Sequence, residues 1–108
     1  MTKIYDVVII GGGATGLSAG LYTVRSCLKT VLLERTVFGG QIINTEMIEN
    51  YPGFPNGITG VELAVAMEEQ ASKFGLEYLF GEIVGLDVKQ LPMVVRTHDE
   101  ELQTRAII

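Results

Sequence analysis

A single cysteine, Cys27, and a single histidine, His98, are all the thiol and imidazole chemistry that 108 residues contain. One cysteine closes no intrachain disulfide, and one of each residue forms no thiolate–imidazole zinc cage. With no disulfide framework, a reducing, cytoplasmic home is the default expectation. Cationic residues are also scarce, 8 Lys and Arg against 13 Asp and Glu, for a net charge of −5. A nucleic-acid partner, which needs a basic patch, is therefore not expected. Long apolar runs are missing as well: the stretch 7–10 is far short of the ~20 residues that span a bilayer, so no membrane partner is expected. The N-terminus lacks the charged and apolar regions of a signal peptide. No nucleophile–base pair and no metal-ligand constellation stands out. What the chain does have is a 47% hydrophobic content and a mean hydropathy of +0.32. That is enough to fill the core of one small domain, or of a piece of a larger one.

The order of elements reads β-α-β, a long loop, a helix, a strand, then three short strands. Val7, Val8, Ile9 and Ile10 are consecutive, the pattern of a strand buried on both faces, as parallel strands are. Residues 14–28 follow with Leu17, Leu21, Val24 and Leu28 on one helical face. Thr30–Glu34 is a second strand, made a parallel neighbour of the first by the right-handed crossover. Residues 35–58 carry Gly39, Gly40, Gly53 and Gly57 and no sustained period, and loops of that length usually bind something. The next helix is well punctuated. Thr59 and Glu62 form a capping box, Ile58 and Leu63 hold staple positions, and Gly75 closes the C-terminus. Its predicted buried face is Leu63, Met67, Ala71 and Phe74. Glu77–Phe80 reads as a third parallel strand. Segments 83–88, 93–97 and 102–108 read as an antiparallel meander, with turns at Gln90-Leu91-Pro92 and His98-Asp99-Glu100. The fold class is α/β, a Rossmann-type parallel sheet with helices plus a β-meander.

Gly11-Gly12-Gly13-Ala14-Thr15-Gly16 is G-x-G-x-x-G, and it sits between a buried strand and a helix start, the context that gives the motif meaning. Gly11 permits the tight turn, Gly13 lets a pyrophosphate approach the backbone, and Gly16 lets helix and strand pack closely. The helix start, including Ala14 and Thr15, turns free N–H groups and a positive dipole end toward the phosphates. Glu34 ends the second strand 18 residues after Gly16, where a carboxylate accepts hydrogen bonds from an adenosine ribose. A carboxylate there repels a 2′-phosphate, which disfavours NADP at this position. FAD and NAD share the adenosine diphosphate half, so the motif alone leaves the dinucleotide open.

Three further segments bear on that choice. Val37-Phe38-Gly39-Gly40-Gln41-Ile42, Ile48-Glu49-Asn50-Tyr51-Pro52-Gly53-Phe54 and Ile58-Thr59-Gly60-Val61-Glu62-Leu63 resemble, in order, the flavin domain of the thioredoxin reductase family. The glycine motif and Glu34 agree in position, and the resemblance runs the whole length of the chain. It implies FAD as cofactor, with Gly39, Gly40 and Gln41 beside the flavin, Asn50 near the isoalloxazine and Ile83 against the adenine. It also implies the family reaction, a hydride from NADPH onto FAD and then two electrons to a disulfide and to thioredoxin. Ferredoxin- or flavodoxin-NADP reductases of the same flavoprotein group, and a stand-alone adenine-dinucleotide or assembly module, are the alternative readings.

Ala14-Thr15 stands where the family usually has Pro-Ala, with no consequence expected for binding. A larger departure is expected at the end. Residues 104–108 resemble the start of a strand that returns to the flavin in the family, so the domain is expected to be truncated before that return. The NADPH domain and the Cys-x-x-Cys pair are not among these residues, and the chain alone is not expected to turn over. FAD retention is expected to be weak or absent. Without the return strand, residues 7–10 would keep an open edge, and self-association into a dimer or larger is expected on that ground. Cys27 is expected to be a small buried or half-buried residue, and His98 to be solvated. Phe38, Tyr51 and Phe54 either pack the loop or floor the flavin. Glu68, Glu69, Lys73 and Glu77 are assigned to solvated faces.

Overall fold

Runs of β-branched and aliphatic residues make the centre of one six-stranded sheet, as the computed structural model, which describes residues 3–108, lays it out. The elements are β1 (Lys3–Ile10), α1 (Ala14–Arg25), β2 (Thr30–Glu34), a 3-10 helix (Gly40–Asn44), α2 (Gly60–Lys73) and β3 (Glu77–Phe80), then β4 (Ile83–Asp87), β5 (Met93–Thr97) and β6 (Glu101–Ile107). The strand order is β3-β2-β1-β6-β5-β4. Strands β3, β2, β1 and β6 are parallel, while β4, β5 and β6 form the antiparallel meander. The α/β class and the meander are as the sequence predicts.

Both faces of the parallel sheet are filled. On one, Val7, Ile9 and Leu32 pack with Leu17 and Val24 of α1 and Ala71 of α2. On the other, Val8, Val31 and Leu33 pack with Tyr5, Val95 and Leu102. Tyr5 shares the Val8 face rather than the Val7 face, and at this point the N–H groups of Asp6 and Val7 both donate to the Lys29 carbonyl, at 2.8 and 3.2 Å. The buried Tyr5 hydroxyl donates to Glu77 at 2.8 Å, tying β1 to β3. Each fully buried Val, Leu or Ile on these two faces contributes about 1.5–3 kcal/mol.

The expected open edge on β1 is a correction. β6 runs beside β1 from Lys3↔Leu102 to Val8↔Ile107, and Ile10 N–H donates to the Ile108 carbonyl at 2.8 Å. With β2 on its other side, β1 is paired along both edges. One long strand serves the meander with its first half and the parallel sheet throughout. The strand expected to be mostly missing is therefore present, and the self-association expected from an open β1 loses its basis. The sheet ends instead at β3 and β4.

Helix ends account for three further corrections. α1 stops at Arg25, three residues earlier than its periodicity suggests, and Leu28 is 40% exposed. Cys27 is exposed rather than half-buried. It takes φ 64° at the position after the Ser26 cap, while Cys27 and Leu28 N–H donate to the Val24 and Thr23 carbonyls. That is the Schellman arrangement, which usually recruits glycine. At the end of α2 the same arrangement uses Gly75, with Gly75 and Leu76 N–H donating to Ser72 and Ala71. Phe74, predicted inside, is instead the α2 cap and is exposed, with the Arg25 guanidinium 5.5 Å from its ring centre. Left-handed backbone costs an L side chain roughly 1–2 kcal/mol. Cys27→Gly is thus expected to raise the melting temperature by a few degrees, read by circular dichroism; a lowered midpoint would mean that the thiol makes stabilising contacts.

The loop is less structureless than its sequence suggests. It holds the 3-10 helix and is pinned at its base by reciprocal Ile48–Ile58 backbone bonds of 2.7 and 3.0 Å. Among the described residues no helix is long and apolar enough to cross a membrane.

Candidate functional site

The C-terminal ends of β1 and β2 open onto one crevice, the place where open α/β sheets bind ligands. The chain leaves β1 through Gly11, whose N–H donates to the Leu33 carbonyl at 2.8 Å, and enters α1 with Leu17 N–H donating to Gly13 at 2.9 Å. Gly16 is buried against that turn, and a Cβ on it would lie 1.9 Å from the Gly11 carbonyl oxygen. The two helices begin differently. In α2 the Thr59 hydroxyl accepts from Glu62 N–H at 3.2 Å and donates to the Glu62 carboxylate at 2.7 Å. In α1 the cap is Gly13, with no side-chain bond and no acidic residue in the first turn. The α1 N-terminus therefore directs amide hydrogens and positive potential at the crevice, with no side chain of its own to occupy them.

Glu34 stands at the crevice wall. One carboxylate oxygen accepts from Gly12 N–H at 2.9 Å, and the other from Thr36 N–H at 2.7 Å and the Thr36 hydroxyl at 3.3 Å. Burial pushes its carboxyl up, but the hydrogen bonds from Thr36, Gly12 and Arg35 outweigh it and hold the group below its usual value. Glu34 is thus ionised at neutral pH, and Oε1, the oxygen that accepts from Gly12, keeps one acceptor site for a ribose hydroxyl. A depressed folded value means that its stabilisation is complete above the ordinary carboxylate value and is lost as pH falls through the depressed one. Melting temperatures followed down the acid limb should show Glu34→Gln with less pH dependence than the parent. Equal slopes would mean that the three hydrogen bonds are not held in solution.

Beside Glu34 lies a cavity of about 340 Å³, lined by Gly11, Arg35, Gly81, Glu82 and Ile83 among others. The structure thereby brings Gly11, Glu34 and Ile83 together. It also draws Gly39 and Gly40 onto the glycine turn: Gly39 N–H donates to the Gly12 carbonyl at 2.7 Å, and Gly13 and Gly39 form an isolated parallel bridge. Gly39 and Gly40 have φ of 108° and 58°, and a Cβ on Gly40 would sit 3.0 Å from Gly13 Cα. Only glycine suits that backbone-to-backbone approach. Ala14 and Thr15 lie on the first turn of α1. Asn50 is exposed and lines a separate cleft of about 320 Å³ that includes Ala14, Ile42 and Leu63. Gln41 is exposed on the 3-10 helix. These two are not gathered with Glu34 and Ile83. Phe38 is a packing residue, buried beneath the turn, while Tyr51 and Phe54 meet at 6.1 Å between ring centres. His98 is exposed.

Sequence reasoning missed Thr36, which fixes Glu34, and Arg35, Gly81 and Glu82 on the cavity wall. A threonine two residues beyond a carboxylate is a turn signal that points to Thr36; the others carry none.

The chain is similar to thioredoxin reductases. It is 47% identical over 106 residues to that of Bacillus subtilis (strain 168) and 42% over 107 residues to that of Aquifex aeolicus (strain VF5). Each match takes in 98% of this chain and 33% of the relative, so the chain spans about a third of the relatives' length. The crystal structure of Lactococcus lactis thioredoxin reductase in its FR conformation superposes with a TM-score of 0.90 at 46% identity, over 95% of this chain and 34% of that one. A thioredoxin reductase from Gloeobacter violaceus gives 0.91 at 39% identity, over 97% and 33%. The pyridine nucleotide-disulphide oxidoreductase family model matches residues 5–108, and the chain, with its glycine turn, bare helix start and ionised Glu34, belongs to that family.

Proposed function

We propose that this chain is the FAD-binding segment of a thioredoxin-reductase-like flavoprotein, and that its crevice takes the adenosine diphosphate half of the cofactor. The observation that carries this reading is the uncapped, acid-free start of α1 beside an ionised Glu34. A dianionic pyrophosphate and a ribose diol are the chemical complement of free N–H groups and a carboxylate acceptor. The residues fit FAD: Gly11, Gly13, Ala14, Thr15 and Gly16 would hold the phosphates, Glu34 the ribose and Ile83 the adenine. Gly39, Gly40, Gln41 and Asn50 would run along the flavin. When bound, the flavin supplies a two-electron acceptor for hydride, and this chain's own residues orient it and shield its phosphates. NADPH as donor and thioredoxin as acceptor belong to the complete protein, through the two-thirds of the relatives' length outside the match.

Calorimetric titration with ADP, NAD, FAD and NADP tests this reading. ADP, NAD and FAD should each bind through the shared half, and NADP should bind more weakly because Glu34 meets its 2′-phosphate. Glu34→Gln should narrow that gap. No binding of ADP at any accessible concentration would contradict the proposal.

Catalytic silence is a second expectation. A disulfide relay needs two thiols within reach, and the sequence has one. The pure protein with NADPH, FAD and oxidised thioredoxin should reduce no disulfide faster than free flavin does. Turnover that depends on the protein and survives Cys27→Ser would overturn this.

A further inference from the structure

We infer that Phe38 is a positioning residue, a buttress that holds the Gly12 turn and the Gly39-Gly40 segment in one fixed relation. The inference rests on the proposed adenosine diphosphate site, which it deepens by naming what keeps that site in shape. A Cβ built on Gly12 would lie 2.6 Å from Phe38 Cδ1, so the ring is pressed directly onto the turn. The next residue grips the same glycine from another side, through the 2.7 Å bond from Gly39 N–H to the Gly12 carbonyl. Gly12 N–H in turn holds Glu34 at 2.9 Å. One residue's position thus sets the aim of the turn's amides, the orientation of the carboxylate and the approach of Gly39-Gly40.

The ring has its own backing. Its edge contacts, 4.8 Å to Tyr78 at 76° and 4.8 Å to Phe80 at 61°, join it to β3. Tyr78 is anchored further back, its hydroxyl donating to the Glu68 carbonyl of α2 at 2.9 Å. Edge-to-face ring pairs favour a particular geometry and are stabilising beyond the area they bury. A displacement of the turn by a fraction of an ångström misdirects several N–H donors together.

ADP affinity by calorimetry, measured where circular dichroism reports each variant folded, tests the inference in Phe38→Leu, Phe38→Ala and Phe80→Ala. Phe38→Ala should weaken ADP about tenfold, with Phe38→Leu between it and the parent. Phe80→Ala, which alters the backing, should weaken ADP in the same direction and less than additively with Phe38→Ala. Amide exchange at Gly39 should quicken in all three variants, while Val8 and Leu32 keep their protection. A residue that merely fills the core would lower the melting temperature and leave both readouts unchanged, and that result overturns the inference. If Phe38→Ala does not fold, Phe38→Leu and Phe80→Ala decide the matter by the same two readouts. If the parent binds no ADP, the proposed site fails, and Gly39 exchange alone still decides for or against the buttress.

Discussion

Gly16→Ala is expected to remove more than half of the protein's stability. In a helix interior alanine is ordinarily better than glycine by about 1 kcal/mol, so the sign of the effect is diagnostic. Here the added carbon would lie 1.9 Å from the Gly11 carbonyl oxygen and 3.1 Å from its carbon, both backbone atoms that cannot swing aside. The helix must move off the strand, which costs on the order of 3 kcal/mol or more. A domain this small starts with a stability near the low end of roughly 5–15 kcal/mol. Gly20→Ala is the internal comparison. Its Cβ would meet Leu76 Cδ2 at 2.6 Å, the end of a side chain that can rotate, so its loss should be clearly smaller. Urea midpoints for the two variants give the order directly. A Gly16→Ala protein as stable as the parent would mean that α1 is not seated against Gly11.

The second large effect is on binding without stability. Gly13 has φ −76°, open to any residue, and a Cβ there would find only Gly40 Cα, at 3.9 Å. The space beside Gly13 is not filled by the fold. Gly13→Ala should therefore melt close to the parent, and Gly13→Val should place a branched side chain where the pyrophosphate must approach. ADP binding is expected to disappear in the valine variant while the circular dichroism spectrum stays native. Binding that persists unchanged in Gly13→Val would move the phosphates to another surface.

What could be read from the sequence follows from how local each signal is. The Val7–Val8–Ile9–Ile10 run, the Thr59/Glu62 cap and the Gly75 stop are written in adjacent residues, and the corresponding elements form as expected. The pairing of β6 with β1 is not local. Leu102 and Thr104 alternate inward as in any meander strand, and apart from the family likeness of residues 104–108 nothing in their pattern indicates that a strand nearly 100 positions earlier will take the other edge along the whole length. Cys27 and Phe74 continue the helical spacing of the residues before them, so periodicity alone places them inside. Their exposure is decided by cap geometry, and Cys27 is not a residue type that announces a left-handed turn. At the site, the glycine spacing and Glu34 are legible because phosphate and ribose chemistry restricts residue type. Thr36 and Phe38 are not, since a backbone N–H bond and a ring pressed on a glycine can be supplied by many side chains. Gln41 and Asn50 rest on family resemblance and sit exposed, away from the Glu34 cavity.

Amide chemical shifts followed through an ADP titration are the most direct measurement of where a dinucleotide sits. Saturable shifts should concentrate at Gly11, Gly13, Ala14, Thr15 and Gly16, with a second group at Glu34, Arg35 and Ile83. The meander amides at Val94 and Val95, which lie on the far part of the sheet, should stay still. Shifts spread over the protein surface, or confined to α2 and the meander with the glycine turn unmoved, would contradict the site at its foundation.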